Sequence, residues 1–223
     1  MRTVVFDLDG TLADTSGDLI AAGNGCFAAL GLGAPLNAAS DVLTAFAGGR
    51  AMLRLGAGRL GLDWTEAEVD AQYPVLLQAY ADAIDTHTKL YPGAVAAVQS
   101  LRRAGFATAI CTNKPEGLAQ TLTRSLGIRD LFDALIGADT LPTRKPDAAP
   151  YLAAVSRAGG ALTRSLLLGD TITDVDTARA AGVPVALVTF GPEGTAVTRF
   201  SPDAVLAHFD LLPALADRML PQR

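Results

Sequence analysis

In VVFDLDGTL, residues 4–12, two carboxylates and a glycine close an apolar run that reads as a buried β-strand. Alternate strand residues project to the same side, so Asp7 and Asp9 can act on one centre. Three further segments carry polar groups at or near the ends of apolar runs: Thr112 with Asn113, Lys145 in a loop before a helix, and Asp170 with Asp174. In a parallel sheet these loops all emerge on one edge, where open α/β sheets bind their ligands. Carboxylates gathered there repel one another strongly unless a cation lies among them. Oxygen donors without a His or Cys cluster select Mg²⁺. A magnesium ion and a lysine beside a carboxylate suggest phosphoryl transfer, because an anionic nucleophile approaches an anionic phosphate only when positive charge screens both.

Each position also has an ordinary reading. Asp9-Gly10 could be a hairpin turn, although Thr11 to Leu30 continues with a helical pattern (Leu19, Ile20, Cys26, Phe27, Leu30) instead of a returning strand. Thr112-Asn113 could be an N-cap before Lys114-Pro115, Lys145 a solvated loop lysine, and Asp174 a carboxylate favoured at a helix start. Asp147 and Asp176 read as helix-start charges, and His87 and His208 as surface or satisfied histidines.

From residue 90 onward helices and strands alternate: helix 94–104, strand 106–112, helix 115–126, short strand 134–137, helix 147–158, strand 165–169, helix 174–181, strand 183–189. The alternation predicts an α/β fold, a doubly wound parallel sheet joined by right-handed crossovers with helices on both faces. Residues 17–85 hold only helical patterns, at 38–46, 51–60 and 65–84, the last opened by a Thr65/Glu68 capping box. A helical block between the first strand and the rest reads as an insertion, entered and left through the polar segments Asp14–Gly17 and Asp85–Thr88. The expected division is an α/β core of residues 1–15 and 88–223 and a small inserted α-helical cap of residues 16–87.

The chain has 223 residues, half of them apolar, enough for a full core. Its 18 basic against 23 acidic residues leave no electrostatic footprint for nucleic acid or an anionic membrane. No apolar stretch approaches the roughly 18 residues of a membrane span, so the expectation is a cytoplasmic protein without a membrane partner. Cys26 and Cys111 lack metal or redox spacing and are expected as buried free thiols.

Together, DLDGTL (7–12), TNK (112–114), KPD (145–147) and GDTITD (169–174) resemble, in order and spacing, the four motifs of the haloacid dehalogenase (HAD) superfamily. LYPGAVAAVQSLRRAGFATAICTNKPE and GDTITDVDTARAAGVPVALVTFGP look closely like its phosphoglycolate phosphatase branch, and the resemblance covers essentially the whole chain. It implies a HAD-like, Rossmann-type core with a cap acting as a lid, and a Mg²⁺-dependent phosphatase. The expected substrate is a small phosphorylated metabolite such as 2-phosphoglycolate, cleaved through an aspartyl-phosphate. By position, Asp7 would be the nucleophile. Asp9 would protonate the leaving alkoxide and then activate water, its carboxylate neighbours favouring the protonated form needed first. Thr112, with Asn113, Gly10 and nearby N–H groups, would hold phosphate oxygens, and Lys145 would neutralise charge. Asp7, Asp170 and the Asp9 carbonyl would hold Mg²⁺, with Asp174 a further or outer ligand.

Among the superfamily's other chemistries, dehalogenases lack the second aspartate. Phosphonatases need an insert lysine, and none occurs between Met1 and Thr88. β-Phosphoglucomutase-like members use an insert histidine near the segment that reads Ser16-Gly17-Asp18 in this chain. A phosphotransferase of that kind, a pyrophosphatase and a non-enzymatic phosphate-binding regulator stay open as alternatives. For a substrate bearing a carboxylate, Arg50, after Ala47-Gly48-Gly49, is the expected partner, a plain surface arginine being the other reading.

Overall fold

The computed structural model describes residues 1–221. The chain divides into two compact units, Met1–Ala13 with Leu90–Arg223, and Asp14–Lys89. Its strands are β1 (Thr3–Phe6), β2 (Ala13–Asp14), β3 (Lys89–Leu90), β4 (Ala107–Cys111), β5 (Ala134–Ile136), β6 (Ser165–Gly169), β7 (Val185–Val188) and β8 (Ala204–Leu206). The α-helices are α1 (Ser16–Ala29), α2 (Val42–Phe46), α3 (Gly49–Arg59), α4 (Glu66–Asp82), α5 (Ala94–Arg103), α6 (Glu116–Ser125), α7 (Ala148–Arg157), α8 (Ile172–Ala181) and α9 (Leu212–Met219).

The first unit is built on a six-stranded parallel sheet in the order β5-β4-β1-β6-β7-β8. Strands β1 and β4 to β7 are buried along their whole length, which is why they read in sequence as nearly unbroken apolar runs. Val5 lies in register with Ala109 on one side and Leu167 on the other, and Tyr151 and Val155 of α7 and Val175 and Ala178 of α8 pack into the same core. The chain builds β4 and β5 on one side of β1, then crosses to build β6, β7 and β8 on the other. That reversal opens a crevice outside the carboxyl end of β1.

The doubly wound sheet matches the expectation, with three departures. Residues 11–15 are not helical. Gly10 turns the chain at φ +81°, its N–H bonds Ala13 O at 2.8 Å, and Thr11 Oγ1 donates to Asp170 Oδ1 at 2.9 Å, so a long-range bond overrides the local pattern and α1 starts only at Ser16. The predicted helix 38–46 shrinks to α2. Asn37 Oδ1 accepts from Ala39 and Ser40 N–H, and Asp41 Oδ2 accepts from Asn37 N–H, bonds that compete with helix formation. Finally, β8 and α9 extend the α/β unit beyond the last predicted strand.

Within the helical unit, the Thr65/Glu68 capping box forms at the start of α4 as expected. The two chain crossings pair with each other as β2 and β3. The returning one is held by Asp18, a buried carboxylate that accepts from His87 N–H at 2.9 Å, Thr88 N–H at 2.8 Å and Thr88 Oγ1 at 2.7 Å. Asp18→Ala therefore strands three donors and is expected to cost about 1–3 kcal/mol of stability, read by urea unfolding. A loss below about 0.5 kcal/mol, the scale of ordinary surface substitutions, would show that the anchor is dispensable.

Candidate active site

Asp7 follows the last residue of the central strand, and its own N–H still bonds Leu168 O at 2.9 Å, so sheet geometry fixes its backbone. Its Oδ1 accepts from Leu8 N–H at 2.7 Å and lies 3.0 Å from Lys145 Nζ. Lys145, 2% exposed at its side chain, also donates to Asp174 Oδ1 at 2.7 Å. The other Asp174 oxygen accepts from Asp170 N–H, Thr171 N–H and Thr171 Oγ1, each at 3.1 Å, closing the capping box of α8. Asp170, just past β6, accepts from Thr11 on Oδ1, while its buried Oδ2 has no hydrogen-bond partner. One oxygen from each of Asp7, Asp170 and Asp174 falls within 4.8 Å of the others.

Three buried carboxylates thus gather near one ammonium, which contacts two of them, Asp7 and Asp174. Burial pushes the Asp7 carboxyl up to about 6; Lys145 opposes the rise, and Asp174 and Asp9 add to it. Burial, with Asp174 and Asp7, holds Asp170 well above the usual carboxylate range. Burial alone would lower Lys145, but Asp174 and Asp7 outweigh it and keep the ammonium charged. Set against one lysine, the three carboxylates in ionised form leave a deficit of two positive charges. The donor set is all oxygen, and the orphaned Asp170 Oδ2 is a buried acceptor awaiting a partner. The residues fit a divalent cation. Asp174 already carries hydrogen bonds on both oxygens, so its geometry suits support of Asp170 and Lys145 more than direct ligation. Cys111 is buried, with its thiol pushed up to about 12 by burial, and Cys26 is also a buried free thiol.

Thr112 is buried at the end of β4, with its N–H on Ile136 O at 3.0 Å and its hydroxyl accepting from Lys114 N–H at 3.2 Å. The N-cap reading fails for both Thr112 and Asn113: the first N–H of α6, that of Glu116, bonds Asp139 Oδ1 at 2.7 Å. Asn113 Nδ2 instead donates to Lys145 O at 3.1 Å and ties the two loops together. Gly10 and Gly191 let backbone close around Asp170. A Cβ on Gly10 would lie 2.3 Å from Asp170 Oδ2, and one on Gly191 would lie 2.7 Å from Gly10 O.

At two of the expected positions the structure adds a partner. The charge paired with Asp9 is a cation: Lys114 Nζ lies 2.8 and 3.0 Å from its two carboxylate oxygens. The carboxylate neighbourhood predicted for Asp9 is therefore incomplete. Lys114 is the residue that sequence does not announce, since a lysine after Thr-Asn in a loop looks solvated. The available signal was its place two residues past a buried strand, in the loop that carries Thr112. Arg50, the expected carboxylate partner, belongs to the helical unit, where its Nε donates to Asp70 Oδ1 at 2.6 Å and its guanidinium lies 3.8 Å from the centroid of Tyr73. It is 39% exposed at its side chain and already paired.

Comparison with known proteins agrees with this geometry. The family model for haloacid dehalogenase-like hydrolases matches residues 1–182. A phosphoglycolate phosphatase of Mesorhizobium japonicum is 39% identical, with 97% of this chain and 96% of that protein covered. One of Agrobacterium fabrum is 37% identical, covering 97% and 93%. The fold is shared with the crystal structure of a predicted phosphoglycolate phosphatase from Haemophilus somnus, at a TM-score of 0.82 and 24% identity over 96% of this chain and 97% of that one.

Gly10→Ala tests the carboxylate cradle. The added methyl group clashes with Asp170 at a left-handed backbone position, so divalent-cation affinity is expected to fall about 10–100-fold, measured by thermal-shift titration with divalent chlorides. An unchanged affinity in the folded variant would sink the assignment of Asp170 as a ligand.

Proposed function

The chain belongs to the haloacid dehalogenase-like hydrolase family, and we propose that within it this enzyme is a Mg²⁺-dependent phosphatase that hydrolyses 2-phosphoglycolate through an aspartyl-phosphate on Asp7. One observation carries the reading: a carboxylate at the end of the central strand, paired to a buried lysine and packed against a second carboxylate with an unsatisfied oxygen. Family membership and the relatives' names make it a phosphoric monoester hydrolase, and those names supply the substrate.

In the first step an oxygen of Asp7 bonds to phosphorus as the ester P–O bond breaks, and Asp9 gives its proton to the departing alkoxide. In the second, Asp9 takes a proton from water, the water oxygen bonds to phosphorus and the Asp7–phosphorus bond breaks, restoring Asp7 and releasing inorganic phosphate. Lys145 neutralises Asp7 in the free enzyme and the phosphoryl oxygens during transfer, and the Thr112 hydroxyl with nearby backbone N–H groups, Asn113 and Gly10 orients those oxygens. Asp7, Asp170 and the Asp9 carbonyl would hold Mg²⁺, with Asp174 behind them; when bound, the ion supplies positive charge between nucleophile and phosphate. Arg50 is the candidate reader of the substrate carboxylate, which would take over the place of Asp70 on its guanidinium. A small phosphorylated metabolite as partner and a cytoplasmic location go with this reading. Among the described residues no helix is long and apolar enough to cross a membrane.

Hydrolysis of p-nitrophenyl phosphate is expected to need Mg²⁺, to stop with EDTA and to fall at least about 10³-fold in Asp7→Asn. Turnover indifferent to EDTA, or surviving that substitution, overturns the mechanism. In a panel of phosphorylated metabolites, 2-phosphoglycolate is expected to give the highest kcat/KM; a sugar phosphate or pyrophosphate ahead of it would redirect the substrate assignment.

For Arg50→Ala, KM for 2-phosphoglycolate is expected to rise about tenfold or more while p-nitrophenyl phosphate, which has no carboxylate, changes little. Equal effects on both substrates would remove Arg50 from substrate reading.

A further inference from the structure

Resting on the phosphatase reading above, we propose that Lys114 is a positioning residue for Asp9, a second buried lysine that serves the acid/base carboxylate as Lys145 serves the nucleophile. The Lys114 side chain is 4% exposed and that of Asp9 is 18% exposed, and the ammonium reaches both Asp9 oxygens, at 2.8 and 3.0 Å. Two contacts from one nitrogen fix the carboxylate's rotation as well as its position. The Lys114 backbone is pinned in turn: its N–H bonds Thr112 Oγ1 at 3.2 Å, and its carbonyl accepts from Ala138 N–H at 2.9 Å.

The consequence is geometric. A three-residue stretch, Thr112 to Lys114, carries both the hydroxyl assigned to the phosphate and the cation that holds the proton donor. The distance between the phosphoryl group and Asp9 is then set by one short piece of backbone, buried at Thr112 and Lys114. An acid/base group has to sit within hydrogen-bond reach of the oxygen it serves, and a misplacement of about 1 Å can cost about 10²-fold in rate. Lys145 cannot supply this hold, because its ammonium is shared by Asp7 and Asp174 at 3.0 and 2.7 Å. Stability alone accounts poorly for Lys114, since desolvating an ammonium carries a penalty that an apolar side chain of similar length avoids.

Leaving-group chemistry separates positioning from a merely structural role. An alkoxide departs only with a proton from Asp9, whereas nitrophenolate leaves without one. In Lys114→Met, kcat/KM for 2-phosphoglycolate, or for whichever alkyl phosphomonoester the wild type hydrolyses, is expected to fall about 10²-fold, and for p-nitrophenyl phosphate only about 2–5-fold. Lys114→Gln, which keeps a donor without the charge, is expected to lose less on the alkyl substrate with the same bias, and it carries the test if the methionine variant does not fold. The losses of Lys114→Met and Asp9→Asn on the alkyl substrate are expected not to add in the double variant. Equal losses on alkyl and aryl substrates, or additive losses, overturn the assignment. A wild type without Mg²⁺-dependent turnover of either substrate would instead overturn the phosphatase reading on which it rests.

Discussion

The structure turns on a charge deficit: Asp7, Asp170 and Asp174 converge in the interior of the α/β unit and face a single ammonium, that of Lys145. At an effective dielectric near 20, each carboxylate pair about 4–5 Å apart repels by roughly 3–4 kcal/mol, while each lysine contact near 3 Å attracts by about 5–6 kcal/mol. The two lysine contacts offset most of the mutual repulsion among the three. They do not cover the several kcal/mol that desolvation adds for each ion, and they reach Asp7 and Asp174 directly but not Asp170. The upward shifts of Asp7 and Asp170 express that imbalance, and a divalent cation removes it.

Holding such a cluster requires backbone that cannot relax away from it, and the sheet provides this. With β1 between β4 and β6, Asp7 is fixed through strands on both sides. The loops after β4 and β6 bring Thr112 and Asp170 to the same edge, and the loop before α7 brings Lys145. Asn113 then ties the β4 loop to Lys145 by a bond to its carbonyl, and Thr11 ties the first loop to Asp170. Loops of this kind are ordinarily the mobile part of a fold. In this one they are cross-linked by polar groups that bond directly to the candidate site residues, so the same bonds position the loops and the site.

The same physics decides what could be read from sequence. Buried parallel strands are apolar on both faces, so β1, β4, β6 and β7 stood out as continuous runs, with the charged residues at their ends marking the catalytic edge. The capping box at Thr65 and Glu68 was legible because its bonds are local. Where long-range bonds decide, sequence pattern misled. Thr11 read only as part of a stretch with a helical pattern but serves Asp170, and β8 at the sheet edge, only partly buried, carries no strong run. Among the candidate site residues, Asp7, Lys145, Asp170 and Asp174 come together as their motifs suggested, while Arg50 is engaged by Asp70 and Tyr73. Lys114 stayed hidden because nothing within its own loop shows that its ammonium reaches Asp9.

The Lys114 contact bears on how two identical side chains, two residues apart, can take the different parts proposed for them in one reaction. Alternation along a strand puts Asp7 and Asp9 on one side, but Asp9 lies beyond the end of β1, in the turn that Gly10 creates, and only Asp7 retains a sheet hydrogen bond to β6. The nucleophilic role proposed for Asp7 benefits from its being immobile and close to the candidate cation site. A proton carrier has to face the leaving group in one step and water in the next, which asks for orientation without burial in the metal cluster. On the proposed mechanism the two lysines divide the work accordingly: Lys145 sits inside the cluster with Asp7, and Lys114 holds Asp9 from the neighbouring loop. The difference in the roles proposed for them follows from which cation each carboxylate meets, and that is set by the fold rather than by the spacing of the two aspartates.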